Sequence, residues 1–290
     1  MLTELYCTID DFCKLIAEEL GKKYLLGSEK SNNHSKFKLS EIVTIAVYYH
    51  YSGYKNFKSY YQKHVQVYLK KDFPSIPSYS RMIELKQEAM WVFALFAKAL
   101  SASCTGISII DSTALEVCNN RRIWKNKVFK GLAQRGKTSV KWFFGFKLHV
   151  TINDRGEIIS FFITPGNVAD GSYTVLEKIT EKLWGKLIAD MGYIGKTQEL
   201  YQRGIQIIHR LRSNMRNKLI SLFDKFLLRQ RGIVETVFEL LKDDFDLEHS
   251  RHRSIPAFFT NIFSVIIAYA FRPKKPFVNL EKFVIAKQLC

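Results

Sequence analysis

Trp142-Phe143-Phe144-Gly145-Phe146-Lys147-Leu148-His149-Val150-Thr151-Ile152 puts an apolar residue at every second position, beginning with Trp142 and ending with Ile152. A period of two belongs to a β-strand with one apolar face. Lys147 and His149 fall on the other face, where a sheet-surface role is expected, with approach to a site as the alternative. Asn153-Asp154-Arg155-Gly156 reads as a turn and 157–164 as a second strand, so the two predict an antiparallel hairpin. Upstream, Ile107-Ser108-Ile109-Ile110-Asp111 is a short β-type run that stops at a carboxylate. Downstream, the pattern predicts a helix over 173–183, a strand over 186–190, a helix over 197–202, a strand over 205–209 and a helix from about 229 to 242. The order β-β-β-α-β-α-β-α is mixed α/β, with five strands and helices to cover them.

The first hundred residues read differently, as helices. Thr8 with Asp11 resembles a capping box for a helix ending near Leu20. Ser40 opens an apolar run through Ile42, Ile45, Ala46 and Tyr49, and Ser78 a longer one through Met82, Leu85, Met90, Phe93 and Phe96. The expected organisation is an N-terminal all-α domain at 1–104, an α/β domain at 105–272 that includes a C-terminal helix, and a basic tail at 273–290. Between the early helices, Tyr54, Phe57, Tyr60 and Tyr61 interleave with Lys55, Lys58 and Lys63. That mixture suits a nucleic-acid backbone and equally suits a helix whose lysines solvate its outer face.

Lys and Arg number 44 against 27 Asp and Glu in 290 residues, a formal charge of +17. An excess of that size predicts a polyanionic partner, nucleic acid being the commonest, although charge alone does not separate DNA from RNA or a membrane surface. The charge is also clustered. From Val117 to Asn153 there is no acid, while Arg121, Arg122, Lys125, Lys127, Lys130, Arg135, Lys137, Lys141 and Lys147 supply nine cations. A second acid-free stretch, 200–223, carries Arg203, Arg210, Arg212, Arg216 and Lys218. Both suit a phosphate track. The apolar run 255–271 is short for a bilayer span and holds Thr260 and Asn261, so a buried helix is expected there. The first residues lack a basic segment and a cleavage site, so no secretory signal is expected. Five scattered cysteines without a C-x-x-C pair argue for a reducing compartment, and His249 with His252 for a solvated or phosphate-facing role rather than zinc.

In open α/β sheets the functional crevice lies beyond the strand C-termini. Asp111 and Asp190 each end a predicted strand, and if those strands are parallel neighbours both carboxylates emerge at one edge. Glu235 on the last helix is the candidate third, with Glu239 in reserve. Three acidic oxygens suit Mg²⁺, and two such ions about 3.5–4 Å apart serve an in-line phosphoryl displacement. Each acid has a plainer role open to it: Asp111 as a strand-end cap, Asp190 as a turn former, Glu235 as the partner of Arg231 one turn earlier. Arg231, Glu235 and Lys242 fall at offsets of four and seven, on one face of a regular helix, where the two cations would hold a phosphate.

Ile109-Ile110-Asp111-Ser112-Thr113, Gly145-Phe146-Lys147-Leu148-His149, Pro165-Gly166-Asn167-Val168-Ala169-Asp170, Ala189-Asp190-Met191-Gly192-Tyr193, Arg231-Gly232-Ile233-Val234-Glu235 and Ser250-Arg251-His252-Arg253-Ser254 together resemble the DDE transposases of bacterial insertion sequences, most closely the nine-eight-two family of those elements. The chain departs from the broader signature at Leu228, where a Tyr usually stands three residues before the Arg. The resemblance implies a ribonuclease H-like catalytic core, a mixed five-stranded sheet flanked by helices. It implies Asp111, Asp190 and Glu235 as catalytic ligands of two Mg²⁺ or Mn²⁺ ions. It further implies DNA with terminal inverted repeats as substrate, cleavage and 3′-OH strand transfer as activity, a homo-oligomer at synapsis, and a bacterial cytoplasmic, nucleoid-associated location. Arg231 and Lys242 are expected to clamp phosphates, and Arg121, Arg122, Lys125, Lys127, Arg135, Lys137 and Lys141 to track DNA. A Mg²⁺-dependent nuclease without strand transfer, or a non-catalytic repressor derived from a transposase, are the alternatives.

Overall fold

Strand β1 (Ile107–Cys118) is hydrogen-bonded to one neighbour along nearly its whole length and to another over Ile107–Ile109, and the sheet is built outward from it. The other strands are β2 (Gln134–Lys137), β3 (Trp142–Asn153), β4 (Ile158–Pro165), β5 (Gly185–Ile188) and β6 (Ile205–Ile208). The order is β2-β3-β1-β5-β6, with β4 also paired to β3. β2 takes Trp142 to Gly145 of β3 and β4 takes Phe146 to Ile152, so these two strands share one edge of β3 in tandem. β1, β2, β3 and β4 pair antiparallel, whereas β1, β5 and β6 are parallel. This computed structural model describes residues 1–20, 37–210, 220–248, 252–281 and 283.

Three sequence expectations change here. The sheet has six strands rather than five, because the four residues of β2 carry no apolar periodicity and owe their extended form to β3. β1 does not stop at Asp111: pairing with β3 holds it extended to Cys118. The polar face of β3 is no surface either, since Phe143, His149 and Thr151 are buried as fully as Leu148 and Val150. Gly145 is the one position in β3 that must lack a side chain, as a β-carbon there would collide with the Leu115 carbonyl across the ladder.

The chain divides into two units. The second holds the sheet, α5 (Tyr173–Ile179), α6 (Thr197–Gln202), α7 (Leu222–Arg229) and α8 (Gly232–Glu239). Its core joins Ile110, Ile159, Val175, Leu176, Ile179, Leu187 and Ile205. An N-terminal helical region followed by a mixed sheet flanked by helices is consistent with a ribonuclease H-like core. The last described stretch joins this unit too, with the Val278 amide donating to the Asp154 carbonyl at 2.7 Å.

The first unit holds α1 (Leu2–Leu20), α2 (Leu39–Tyr48), α3 (Tyr79–Glu88), α4 (Met90–Ala99) and α9 (Ile255–Ala270). The sequence reading grouped this last helix with the 105–272 domain, whereas the structure packs it against α2, α3 and α4. A helix apolar on nearly all sides needs neighbours on all sides, and Ser254 starts it by accepting from the Ala257 amide at 3.2 Å. α1 begins at Leu2, so Thr8 is no cap; its hydroxyl donates to the Glu4 carbonyl inside the helix. The long helix expected after Ser78 is two helices that meet at Ala89. Tyr60 and Tyr61 are buried while Lys55, Lys58 and Lys63 are exposed, an arrangement that fits both a solvated face and a nucleic-acid backbone. His249, Arg251, Arg212, Arg216, Lys218 and Cys290 lie outside the described residues. The described cysteines Cys7, Cys13, Cys104 and Cys118 are free thiols. No helix among the described residues is long and apolar enough to cross a membrane.

Lys86 is buried in this unit, with its ammonium 4.3 Å from the centre of the Phe57 ring. Burial draws its pKa down from 10.5 to about 8. Because the folded-state value lies below the unfolded one, charging Lys86 opposes folding, and that penalty fades as pH rises from about 8 to 10.5. Lys86→Met is therefore expected to raise stability at pH 7 by on the order of 2 kcal/mol, with the gap to wild type closing as pH climbs through that window in denaturant titrations.

Candidate active site

The parallel ladder between β1 and β5 ends at the pair Ile109 and Ile188. Asp111 and Asp190 each stand two residues past that pair, so the sheet brings them level although the chain separates them widely. α8 packs beside β1 and carries Glu235 toward the same place. Arg231 sits at the junction of α7 and α8 with helical backbone angles. Its guanidinium lies 2.9 Å from Glu235 Oε1, 3.5 Å from Asp111 Oδ2 and 4.0 Å from Asp190 Oδ1. One cation thus gathers all three predicted carboxylates. The plainer roles are filled as well: Arg231 and Glu235 do pair across one helical turn, and Asp111 Oδ1 accepts the Ser112 amide at 2.8 Å.

The electrostatics are those of a site short of positive charge. Burial pushes the Asp111 carboxyl up to about 6, and Asp190 and Asp170 add to the rise, against the opposing pull of the Ser112 amide and Arg231. Among the described residues no group of three or more Asp, Glu, His or Cys side chains stands close enough to hold a metal ion as placed. The acids are joined through Arg231 rather than directly. In chemistry, however, the donor set fits a hard divalent cation. It is all carboxylate oxygen from three separate elements, and one member is disfavoured as an anion by its surroundings.

A second polar network adjoins the first. Asp170 Oδ1, in the turn after β4, accepts from Ser112 Oγ at 2.9 Å and from Lys147 Nζ at 3.1 Å. Lys147 also donates to the Val168 carbonyl at 3.0 Å, so it is half-buried beneath that turn rather than on a sheet surface. His149 is fully buried; its Nε2 pairs with Thr164 Oγ1 at 2.9 Å, and burial pulls its pKa down to about 4 against the attraction of Asp170. It is a neutral imidazole at neutral pH. The Tyr193 hydroxyl is buried near Ser112 with no hydrogen bond of standard geometry among the described residues, and burial beside Asp170 and Asp111 pushes its pKa well up. A β-carbon on Gly171 would collide with the Gly192 carbonyl, so close backbone contact ties the Asp170 turn to the segment after Asp190. Sequence reasoning assigned no role to Asp170, Ser112 or Tyr193. The available signal was the parity of β1 and β3, which sets Ser112 opposite His149 and, with Lys147, on one face.

The remaining predicted residues lie elsewhere. Arg121, Arg122 and Lys125 are exposed on the 3₁₀ turn Asn120–Lys125, Lys127 on the loop that follows, and Arg135 and Lys137 on β2. Lys141 precedes β3 and pairs with Glu116. This tract begins where β1 ends at Cys118, seven residues past Asp111, or about 23 Å at the usual strand rise. The regular helix that put Lys242 on the face of Arg231 is interrupted by the π-type turn Leu240–Asp244, which contains Lys242. Glu239, the reserve carboxylate, is exposed one turn beyond Glu235.

Because the folded-state pKa of Asp111 lies above its ordinary 3.8, its ionisation opposes folding as pH rises from 3.8 through about 6. Asp111→Asn is expected to be more stable than wild type above about pH 6 by on the order of 2 kcal/mol, and to lose that advantage toward pH 3.8. Equilibrium unfolding of both proteins across that range checks the sign.

No curated protein matches this sequence. A protein-family model described as the transposase DDE domain matches residues 101–255, just over half of the 290 residues. The matched span contains Asp111, Lys147, Asp170, Asp190, Arg231 and Glu235. With all three carboxylates inside a match that covers more than half of its length, the chain belongs to the transposase DDE domain family.

Proposed function

We propose that the protein is a DNA transposase of the DDE type, cutting phosphodiester bonds at the ends of an insertion sequence and joining the freed 3′-hydroxyl to target DNA. The observation that carries this reading is the approach of Asp111, Asp190 and Glu235 to one guanidinium inside the matched domain. These three acids would hold two Mg²⁺ or Mn²⁺ ions in exchange for Arg231. Such ions, when bound, stabilise charge on the attacking and leaving oxygens of an in-line displacement.

The protein's own groups do the rest. Arg231, already at the carboxylates, takes a phosphate oxygen of the bound strand through its planar fork of donors. Lys242 is proposed as a second phosphate contact. Asp170, held by Lys147 and Ser112, keeps the backbone around Asp111 in place. Cleavage and strand transfer are both in-line phosphoryl transfers, so one set of carboxylates serves both and no covalent link to protein forms. The exposed tract from Arg121 to Lys141 tracks duplex DNA, and the N-terminal helices read the terminal repeats. A homo-oligomer holds the two ends, and the working location is the bacterial nucleoid.

The test uses a labelled duplex carrying the element's own end. Wild type is expected to nick it in Mg²⁺ and not in EDTA. Asp190→Asn and Glu235→Gln are expected to abolish nicking while duplex affinity stays within a few-fold and falls steeply with salt. Metal-dependent cleavage that survives in Asp190→Asn would sink the assignment of the three acids. A pre-cut end supplied with target plasmid then separates a transposase, which yields joined product, from a simple nuclease, which does not. Specific binding with no cut in Mg²⁺ is the result expected of a repressor.

A further inference from the structure

The basic tract carries large apolar side chains that the fold does not use. Trp124 on the 3₁₀ turn is 96% exposed, Val140 before β3 is 89% exposed, and Trp142 at the start of β3 is 51% exposed. They stand on ordered backbone. Asn119 Oδ1 accepts the Arg121 amide at 3.0 Å, and Asn126 Oδ1 the Phe129 amide at 3.1 Å. Asn120 Nδ2 donates to the Trp142 carbonyl at 2.6 Å and so fastens the turn bearing Trp124 to the strand bearing Trp142. The turn over 138–141 is closed by Thr138, whose amide donates to the Lys141 carbonyl at 2.9 Å and whose hydroxyl oxygen accepts the Lys141 amide at 3.0 Å. The Arg135 guanidinium and the Lys137 ammonium lie 5.5 and 5.7 Å from the Trp142 ring.

Two exposed indoles on hydrogen-bonded turns beside a basic tract mark a binding surface. The cations around them select a polyanion. Paired DNA offers phosphates to cations but hides its base faces in the stack. A base out of the stack offers a π-face, and an indole flanked by Arg and Lys is the side chain that takes it. We propose that Trp124 and Trp142 form a stacking platform for unpaired bases of a DNA strand, with Arg121, Arg122, Lys125 and Arg135 holding its phosphates. Trp124 follows Cys118 on the next turn and Trp142 stands two residues before Phe144, the partner of Cys118. Cys118 itself is seven residues, or about 23 Å, along β1 from Asp111, the span of six or seven stacked nucleotides at about 3.4 Å each. The platform would therefore grip a frayed strand away from the bond being cut. This inference rests on the transposase reading only in taking DNA as the polymer.

The test measures binding of the full-length protein by fluorescence anisotropy to a blunt duplex and to the same duplex with an unpaired tail. Wild type is expected to bind the tailed form more tightly and to show quenched tryptophan emission on it. Trp124→Ala is expected to lose about tenfold on the tailed form, with blunt-duplex affinity unchanged, and Trp124→Phe to recover most of the loss. Trp124 is too exposed for either change to disturb folding. Equal affinity of wild type for the two DNAs overturns the platform, as does an equal loss on both in Trp124→Ala. Sedimentation in which Trp124→Ala dissociates a DNA-free oligomer overturns it as well, in favour of self-association. A wild-type protein that binds no duplex at all overturns the transposase reading itself, whereas intact duplex binding without preference for the tail overturns the platform alone.

Discussion

β1 answers to two partners that impose different lengths on it. The antiparallel ladder with β3 runs from Ser108 to Cys118, while the parallel ladder with β5 stops at Ile109. Past Ile109 the β5 side of β1 is therefore open, and Asp111 and Asp190 lie just beyond that point. Had β5 followed β1 along its whole length, the two carboxylates would be committed to sheet edges filled by backbone pairing. α8 beside β1 and the Arg231 junction then complete a site that three distant segments make together.

The site carries an electrostatic imbalance. One guanidinium faces three carboxylates, and Asp111 is held up near 6 by burial. Leaving acids together with too little cation is costly to the fold, and such costs gather where charge is exchanged with a ligand. In the neighbouring network Asp170 has Lys147 and Ser112 and His149 Nε2 has Thr164, while His149 Nδ1 and the Tyr193 hydroxyl are buried without a hydrogen bond of standard geometry among the described residues. The contrast divides the polar interior into a part where the one acid is paired with a lysine and a part where three acids share one guanidinium. Lys86 has no comparable setting; it is a buried cation over an aromatic ring in the helical unit.

Positive charge is arranged by distance from these acids. Among the described residues Arg231 joins all three carboxylates, while the tract from Arg121 to Lys141 begins beyond the far end of β1. A duplex has one phosphate per strand about every 3.4 Å, so in the proposed reading a strand held at Arg231 would pass the tract several phosphates later. The exposed indoles in that tract turn a phosphate track into a surface able to tell paired from unpaired DNA.

Much of this was legible in the residues alone. The alternation from Trp142 to Ile152 determined β3 and its hairpin with β4, and the apolar run after Ile255 determined a buried helix. Those readings depend on local periodicity, which backbone geometry enforces residue by residue. The segment resemblance named Asp111, Asp190 and Glu235 in advance. Only tertiary structure decided that β1 continues past Asp111, that β2 exists at all, and that α9 packs with α2, α3 and α4. It likewise decided that Lys147 and His149 are interior groups around Asp170 rather than surface ones. Each of these turns on a partner remote in sequence: a strand edge, a helix that needs burial on every side, a turn that folds over a lysine. Periodicity reports which residues share a face, and not what that face will meet.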